Sequence, residues 1–165
     1  QPTCPLESCV ELNSLSIRPA DCETSLNDTD VNADDLYPGV TEFRHRLTSN
    51  FILTHVNINS IRHKFASIHD ILAKKHVDYL AISESKLDDS FPNAQFAAQD
   101  YSIFRQDLTS SSGGLLIYMR ADLPHRRLQN AEVNADGFES LCMEVTIGKT
   151  KTAIVCVYKH PTLKK

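Results

Sequence analysis

An α/β fold is predicted by three stretches of this 165-residue chain. Residues 51–88, FILTHVNINSIRHKFASIHDILAKKHVDYLAISESKLD, run as strand, polar turn, amphipathic helix, strand and acidic exit. Residues 115–119 are a continuous apolar run opened by Gly113-Gly114. Residues 141–158 hold two more strand-like segments around Gly148-Lys149, the pattern of a hairpin. The first stretch organises the others, because a strand, a helix and a second strand in succession form a crossover unit with both strands parallel.

Residues 1–47 are polar, acidic and interrupted by Pro2, Pro5 and Pro19, and are read as a flexible leader. Leu6, Val10, Leu12 and Leu15 are scattered in it, either as a short partner-binding segment or as inert positions. Pro38-Gly39 marks a turn, one or two helical turns follow at 40–47, and the folded region is expected to span 48–165. Residues 51–56 are mostly apolar, as in a strand covered on both faces. They end in Asn57-Ile58-Asn59-Ser60. Ile61, Phe65, Ile68 and Leu72 then recur at steps of four, three and four, while Arg62, His63, Lys64, His69 and Lys74 fall mainly elsewhere on the wheel. Residues 77–82 return as a short apolar strand closed by Ser83 and Glu84. A right-handed crossover delivers Asn57 and Glu84 to one edge of a parallel pair, where α/β proteins place their chemistry.

Beyond Glu84 a polar loop leads to a short strand at 101–104. Gly113-Gly114 fits either close backbone approach in a tight loop or a phosphate cradle; the absence of a following helix favours the tight loop. Asp122-Leu123-Pro124 turns the chain into His125-Arg126-Arg127, a basic cluster suited to a phosphate backbone or simply to a solvated surface. Leu141, Met143, Val145 and Ile147 alternate with Cys142, Glu144 and Thr146, a half-buried strand, and 152–158 is a second strand ending at Tyr158.

The 17 basic and 21 acidic residues give a net charge of −4, which alone argues against a nucleic-acid partner. Residues 1–50, however, hold nine acids against three bases, so the remainder carries twelve acids against fourteen bases, a net of +2. No apolar run is long enough for a membrane span, and the first residues lack the basic and apolar regions of a secretory signal, so the chain is expected to be soluble and intracellular rather than secreted. Cys4, Cys9, Cys22, Cys142 and Cys156 are odd in number and contain no Cys-x-x-Cys pair, so neither a disulfide framework nor a zinc site is indicated. Asn27-Asp28-Thr29 fits a glycosylation acceptor, a tripeptide common by chance. Position 1 is not methionine, and the chain is read as an excerpt of a longer frame.

VNINS before a basic amphipathic helix, ISESKLDDSFP, the Gly-Gly strand entry and the late VYKHP occur in that order over about residues 42–161. Together they resemble the endonuclease of non-LTR retrotransposons of the jockey-like type. That nuclease belongs to the endonuclease/exonuclease/phosphatase superfamily, which includes apurinic endonucleases and inositol polyphosphate phosphatases. The resemblance implies the N-terminal half of a four-layered α/β sandwich, two mixed sheets with helices outside. It implies a metal-dependent phosphodiesterase that nicks target DNA and leaves a 3′ hydroxyl for a reverse transcriptase encoded further along the frame. DNA and that reverse transcriptase region are then the partners, the nucleus is the location, and no membrane is involved. Mg²⁺, or Mn²⁺ in its place, is the implied cofactor.

Carried onto this chain, Glu84 becomes the metal carboxylate, Asn57 the amide that steadies it, and Tyr158 the phenol that approaches the scissile phosphate. Asn59, Ser60 and Arg105 are candidate DNA or metal-shell contacts. By pattern alone Glu84 also fits a solvated or capping glutamate, Asn57 a turn former and Tyr158 the end of an edge strand. Two departures stand out. Tyr158 is followed by Lys159-His160-Pro161, where relatives carry Arg-Pro-Pro or similar. The Gly-Asp-x-Asn and Ser-Asp-His segments that supply the remaining ligands and the water-activating pair do not occur in the chain, and His160 lies within the Tyr158 motif with no Ser-Asp before it. His45, His55, His63, His69, His76 and His125 have no metal-ligand spacing with one another. The chain alone is therefore expected to be inactive and poorly soluble. The alternatives are a small-molecule phosphatase of the same superfamily, acting on inositol phosphates, and a non-catalytic relic or binding module.

Overall fold

The computed structural model describes residues 38–135 and 137–160. Most of the leader, with Leu6, Val10, Leu12, Leu15, Cys4, Cys9, Cys22 and the Asn27-Asp28-Thr29 acceptor, lies outside those residues. The described elements are α1 (Pro38–Arg46), β1 (Leu53–Asn57), α2 (Phe65–Ala73), β2 (Tyr79–Ser83), β3 (Tyr101–Gln106), β4 (Leu115–Arg120), β5 (His125–Arg127), β6 (Phe138–Ile147) and β7 (Thr150–Lys159). Short 3₁₀ turns lie at Asn93–Phe96 and Gln129–Ala131. The fold is α/β, with one mixed four-stranded sheet in the order β1-β2-β4-β3 and one antiparallel sheet in the order β5-β6-β7.

The parallel pair is β1 with β2, in a register that sets Asn57 opposite Ser83, and α2 is the crossover between them. Alternation in β2 and β4 explains the layers. Leu80, Ile82, Leu116 and Tyr118 face a core shared with Ile61, Ile68 and Leu72 on the helical side. Tyr79, Ala81, Leu115, Ile117 and Met119 face the other way, onto Leu141, Met143, Val145 and Cys156 of the second sheet. Being covered on both faces is why the sequence of β2 and β4 is continuously apolar. The described residues thus form helix, sheet and sheet layers. Ile68 and Leu72 are fully buried, each contributing about 1.5–3 kcal/mol by leaving water.

Three boundaries differ from the sequence reading. β1 is an edge strand, and Leu53, Thr54 and His55 are only half-buried rather than covered on both faces. The helix begins at Phe65, four residues after Ile61: the Ile61 carbonyl accepts the Lys64 amide at 2.9 Å in a tight turn, and the Lys64 carbonyl accepts the Ile68 amide at 3.2 Å. Segment 38–46, where one or two helical turns are expected at 40–47, is a helix, but it starts at Pro38-Gly39 instead of after a turn there and is tied to the sheet rather than part of a flexible leader. Val40 is buried in the helical-side core, and the Arg44 guanidinium donates to Asp78 Oδ2 at 2.6 Å and to His76 O at 3.0 Å. Asp78, almost fully buried, also accepts from Arg120 at 2.6 Å and from the Ile52 amide at 2.7 Å, so one carboxylate joins α1, the entry to β1 and the end of β4. Among the described residues, no helix is long and apolar enough to cross a membrane.

Candidate active site

The turn after β1 is sewn to the turn after β2. Ile58, Ser60 and Ile61 amides donate in succession to the carbonyls of Ser83, Glu84 and Ser85, at 3.1, 2.8 and 3.1 Å. Beyond Glu84 the amides of Ser85 and Lys86 donate to Gly114 O at 3.1 Å and Gly113 O at 3.0 Å. The strand-end asparagine, the strand-end glutamate and the diglycine are therefore fastened side by side by backbone alone. This path requires left-handed backbone at Asn59 (φ 48°), Ser60 (φ 82°), Glu84 (φ 55°) and Lys86 (φ 52°). Such conformations cost of order 1–3 kcal/mol each at ordinary residues and cluster where a site needs side chains aimed.

Glu84 is the centre. Asn57 Nδ2 donates to its Oε1 at 2.8 Å, and the Tyr158 hydroxyl, arriving from the far end of the second sheet, donates to the same oxygen at 2.7 Å. Oε2 is left with the Lys86 ammonium at 4.0 Å. That ammonium donates to Asn59 Oδ1, while Asn57 Oδ1 accepts the Asn59 amide at 3.3 Å. The Asn57 hydrogen bond holds the Glu84 carboxyl below its ordinary value; it outweighs partial desolvation, and Tyr158, Lys86 and His160 add to it. Desolvation, and then the carboxylate it serves, push the Tyr158 phenol up to about 12. At neutral pH the pair is thus a carboxylate and a protonated phenol, an acceptor and a donor with fixed roles.

The remaining candidates are placed differently. Asn59 joins the cluster through Lys86. Ser60 accepts from Arg62 Nε at 3.3 Å beside it. Arg105 does not stand free toward solvent: its guanidinium donates to Phe91 O at 2.6 Å, Asn93 Oδ1 at 3.0 Å, Asp88 O at 3.1 Å and the Asp107 carboxylate. It clamps the loop after Glu84. The basic cluster His125-Arg126-Arg127 is strand β5. There Arg126 pairs with Glu144 at 3.0 Å, and Arg127 with Glu132 at 2.8 Å and with Gln106 at 2.8 Å, so both arginines have protein partners.

Gly113 and Gly114 prove to be close-approach glycines. A Cβ on Gly113 would sit 2.3 Å from Glu139 Oε1 and 2.7 Å from His160 Nε2, and one on Gly114 would sit 2.4 Å from Ser85 Oγ. Their backbone also has φ of +65° and +89°. Behind them lies a pair that the sequence reading passed over. The carboxylate of buried Glu139 accepts the Gly114 amide at 2.8 Å and lies 2.7 Å from His160 Nε2. Glu139 carried a legible signal, since it is in phase with Leu141, Met143 and Val145 on the inward side of β6 and is the one acid there. Lys86, also unremarked, had none beyond its place two residues after Glu84.

Glu84 can accept a hydrated hard cation through Oε2, because Mg²⁺ commonly takes one or two protein carboxylates and keeps several waters. Among the described residues there is no group of three or more His, Cys, Asp or Glu able to enclose a metal. What the described residues offer such an ion is the single carboxylate oxygen Glu84 Oε2, with the Lys86 ammonium 4.0 Å from it. No family model matches the chain, and no curated protein matches it.

Proposed function

We propose that this chain is the N-terminal portion of a Mg²⁺-dependent phosphodiester hydrolase of the retrotransposon-endonuclease type, the first half of a four-layered sandwich. The observation that carries the reading is the meeting of Asn57 Nδ2 and the Tyr158 hydroxyl, brought from two other strand ends, on one oxygen of the Glu84 carboxylate, with the Lys86 ammonium 4.0 Å from the other oxygen. A solvated or capping glutamate needs no tyrosine brought to it from 74 residues away. When bound at Glu84, Mg²⁺ would neutralise phosphoryl charge. Asn57 and Tyr158 fix the carboxylate, the phenol stays protonated as a donor, and the Lys86 ammonium offers a positive charge to a phosphate oxygen. The substrate is target DNA, and the water-activating pair comes from Gly-Asp-x-Asn and Ser-Asp-His segments further along the frame.

Mn²⁺ binding followed by electron paramagnetic resonance tests the half-site directly. The 165-residue chain is expected to bind Mn²⁺, E84Q to lose that binding, and neither to nick supercoiled plasmid. A frame extended through the two missing segments is expected to nick plasmid in Mg²⁺ and to lose activity with E84A. Mn²⁺ binding unchanged in E84Q would refute the site. Preferential release of phosphate from inositol polyphosphates by the extended frame would move the assignment to the phosphatase branch.

A further inference from the structure

His160 occupies the place where the late Tyr motif departs from the resemblance, and its ring nitrogens face Glu139 and Ser112 rather than Glu84. We infer that Glu139 and His160 are a positioning pair that pins the end of β7 and so keeps the Tyr158 phenol on Glu84. This rests on the reading of Glu84, Asn57 and Tyr158 as the working site. Tyr158 is the penultimate residue of β7, a strand paired only with β6 among the described residues, and strand ends of that kind open locally. His160 closes the end in three ways. Its amide donates to Gly137 O at 2.8 Å, its Nε2 lies 2.7 Å from the Glu139 carboxylate, and its ring stands edge-on to the Tyr158 ring at 5.1 Å.

Glu139 is itself fixed. It is buried on β6, directly opposite Tyr158 in the register, and it accepts the Gly114 amide. Gly113 and Gly114 in turn accept the amides of Lys86 and Ser85. One carboxylate thereby braces both sides of the site, the backbone that carries Glu84 and the strand end that carries Tyr158. The imidazole is a brace rather than a base: Nε2 faces Glu139, and Nδ1 faces Ser112 Oγ at 3.5 Å.

Nuclear Overhauser contacts read this without any activity. In protein labelled with ¹⁵N and with ring-¹³C tyrosine, a contact between the Tyr158 ring and the Asn57 side-chain amide is expected in the wild type. It should persist in H160Q, whose amide still reaches Glu139. It should weaken in H160N, which falls one methylene short, and be lost in the double variant H160F with E139Q, which keeps a ring on Tyr158 and leaves no buried charge unpaired. The Leu141–Cys156 contact across β6 and β7 serves as the control for folding, and H160N supplies the comparison should the double variant fail it. Mn²⁺ affinity should fall about tenfold where the Tyr158–Asn57 contact is lost, as for other residues that hold metal ligands in place. Wild-type contact intensity in H160N, or in a folded double variant, overturns the pairing while leaving the site reading intact. Loss of the contact in protein that never binds Mn²⁺ would leave the pairing standing and remove the metal.

Discussion

Glu84 takes two hydrogen bonds on one oxygen, and the two donors are unequal. Asn57 contributes more to keeping the carboxyl ionised than Tyr158 does, because desolvation opposes both and the amide is the larger influence. N57A is therefore expected to raise the Glu84 titration further than Y158F, each measured by ¹³C resonance of the Glu84 carboxyl. Equal shifts, or a larger one in Y158F, would contradict that ranking. The stability consequence follows from linkage. A carboxyl whose folded pKa lies below its unfolded value stabilises the fold above the ordinary carboxylate range, and that stabilisation disappears as pH falls through the folded value. N57A should thus destabilise at neutral pH by ~1 kcal/mol, the usual net worth of one such hydrogen bond, and the difference from wild type should narrow under acid. Urea unfolding at neutral and at acid pH measures it.

At the scale of elements, two junctions hold the site's supports in place. Asp78 binds α1, β1 and β4 through Arg44, the Ile52 amide and Arg120, so D78A removes one buried acceptor from three elements at once and leaves Arg44 with backbone carbonyls as its acceptors, while Arg120 keeps Asp122. Breaking a buried pair from one side costs about 3–5 kcal/mol, and the loss should appear as a lowered urea midpoint with α1 detached. G114A meets Ser85 Oγ and a φ of +89°, and a cost of at least ~2 kcal/mol is expected, with the damage centred on the Glu84 turn. Unchanged stability in G114A would mean that the diglycine is a mere loop. These junctions also mark what was legible beforehand. The apolar runs place Asn57, Glu84 and Tyr158 at strand ends, positions that sequence period locates, and the resemblance is what picks them out as site residues. The Asp78 junction, the Arg105 clamp and the Glu139–His160 pair depend on contacts 12 to 42 residues apart that no local period encodes. The start of α2 departs from the helical period because residues 61–64 close a tight turn, with the Lys64 amide on Ile61 O, while the Ile61 amide ties that turn to Ser85.

At the scale of the whole molecule, the two cores are finished but the outer face of the second sheet is not. Ile154, Cys156 and Tyr158 point inward from β7, while Ala153, Val155 and Val157 point outward in alternation, with Val155 52% and Val157 47% exposed. Phe138, on the same outer side of β6, adds a further exposed ring. The outer edge of β7 has no pairing strand among the described residues, so unpaired backbone groups lie beside an apolar strip. Lys151 and Lys159 flank the strip, yet the five residues 153–157 between them carry no charge. An edge of that composition is a template for pairing with another chain. The 165-residue chain is accordingly expected to self-associate as its concentration rises, measured by sedimentation velocity. Replacing Val155→Lys and Val157→Lys together should return it to monomer without lowering its urea midpoint, because both side chains leave the inner core untouched. A wild-type chain that stays monomeric throughout, or a double variant that associates as before, would place the cohesive surface elsewhere and remove the outer face of β7 from the account.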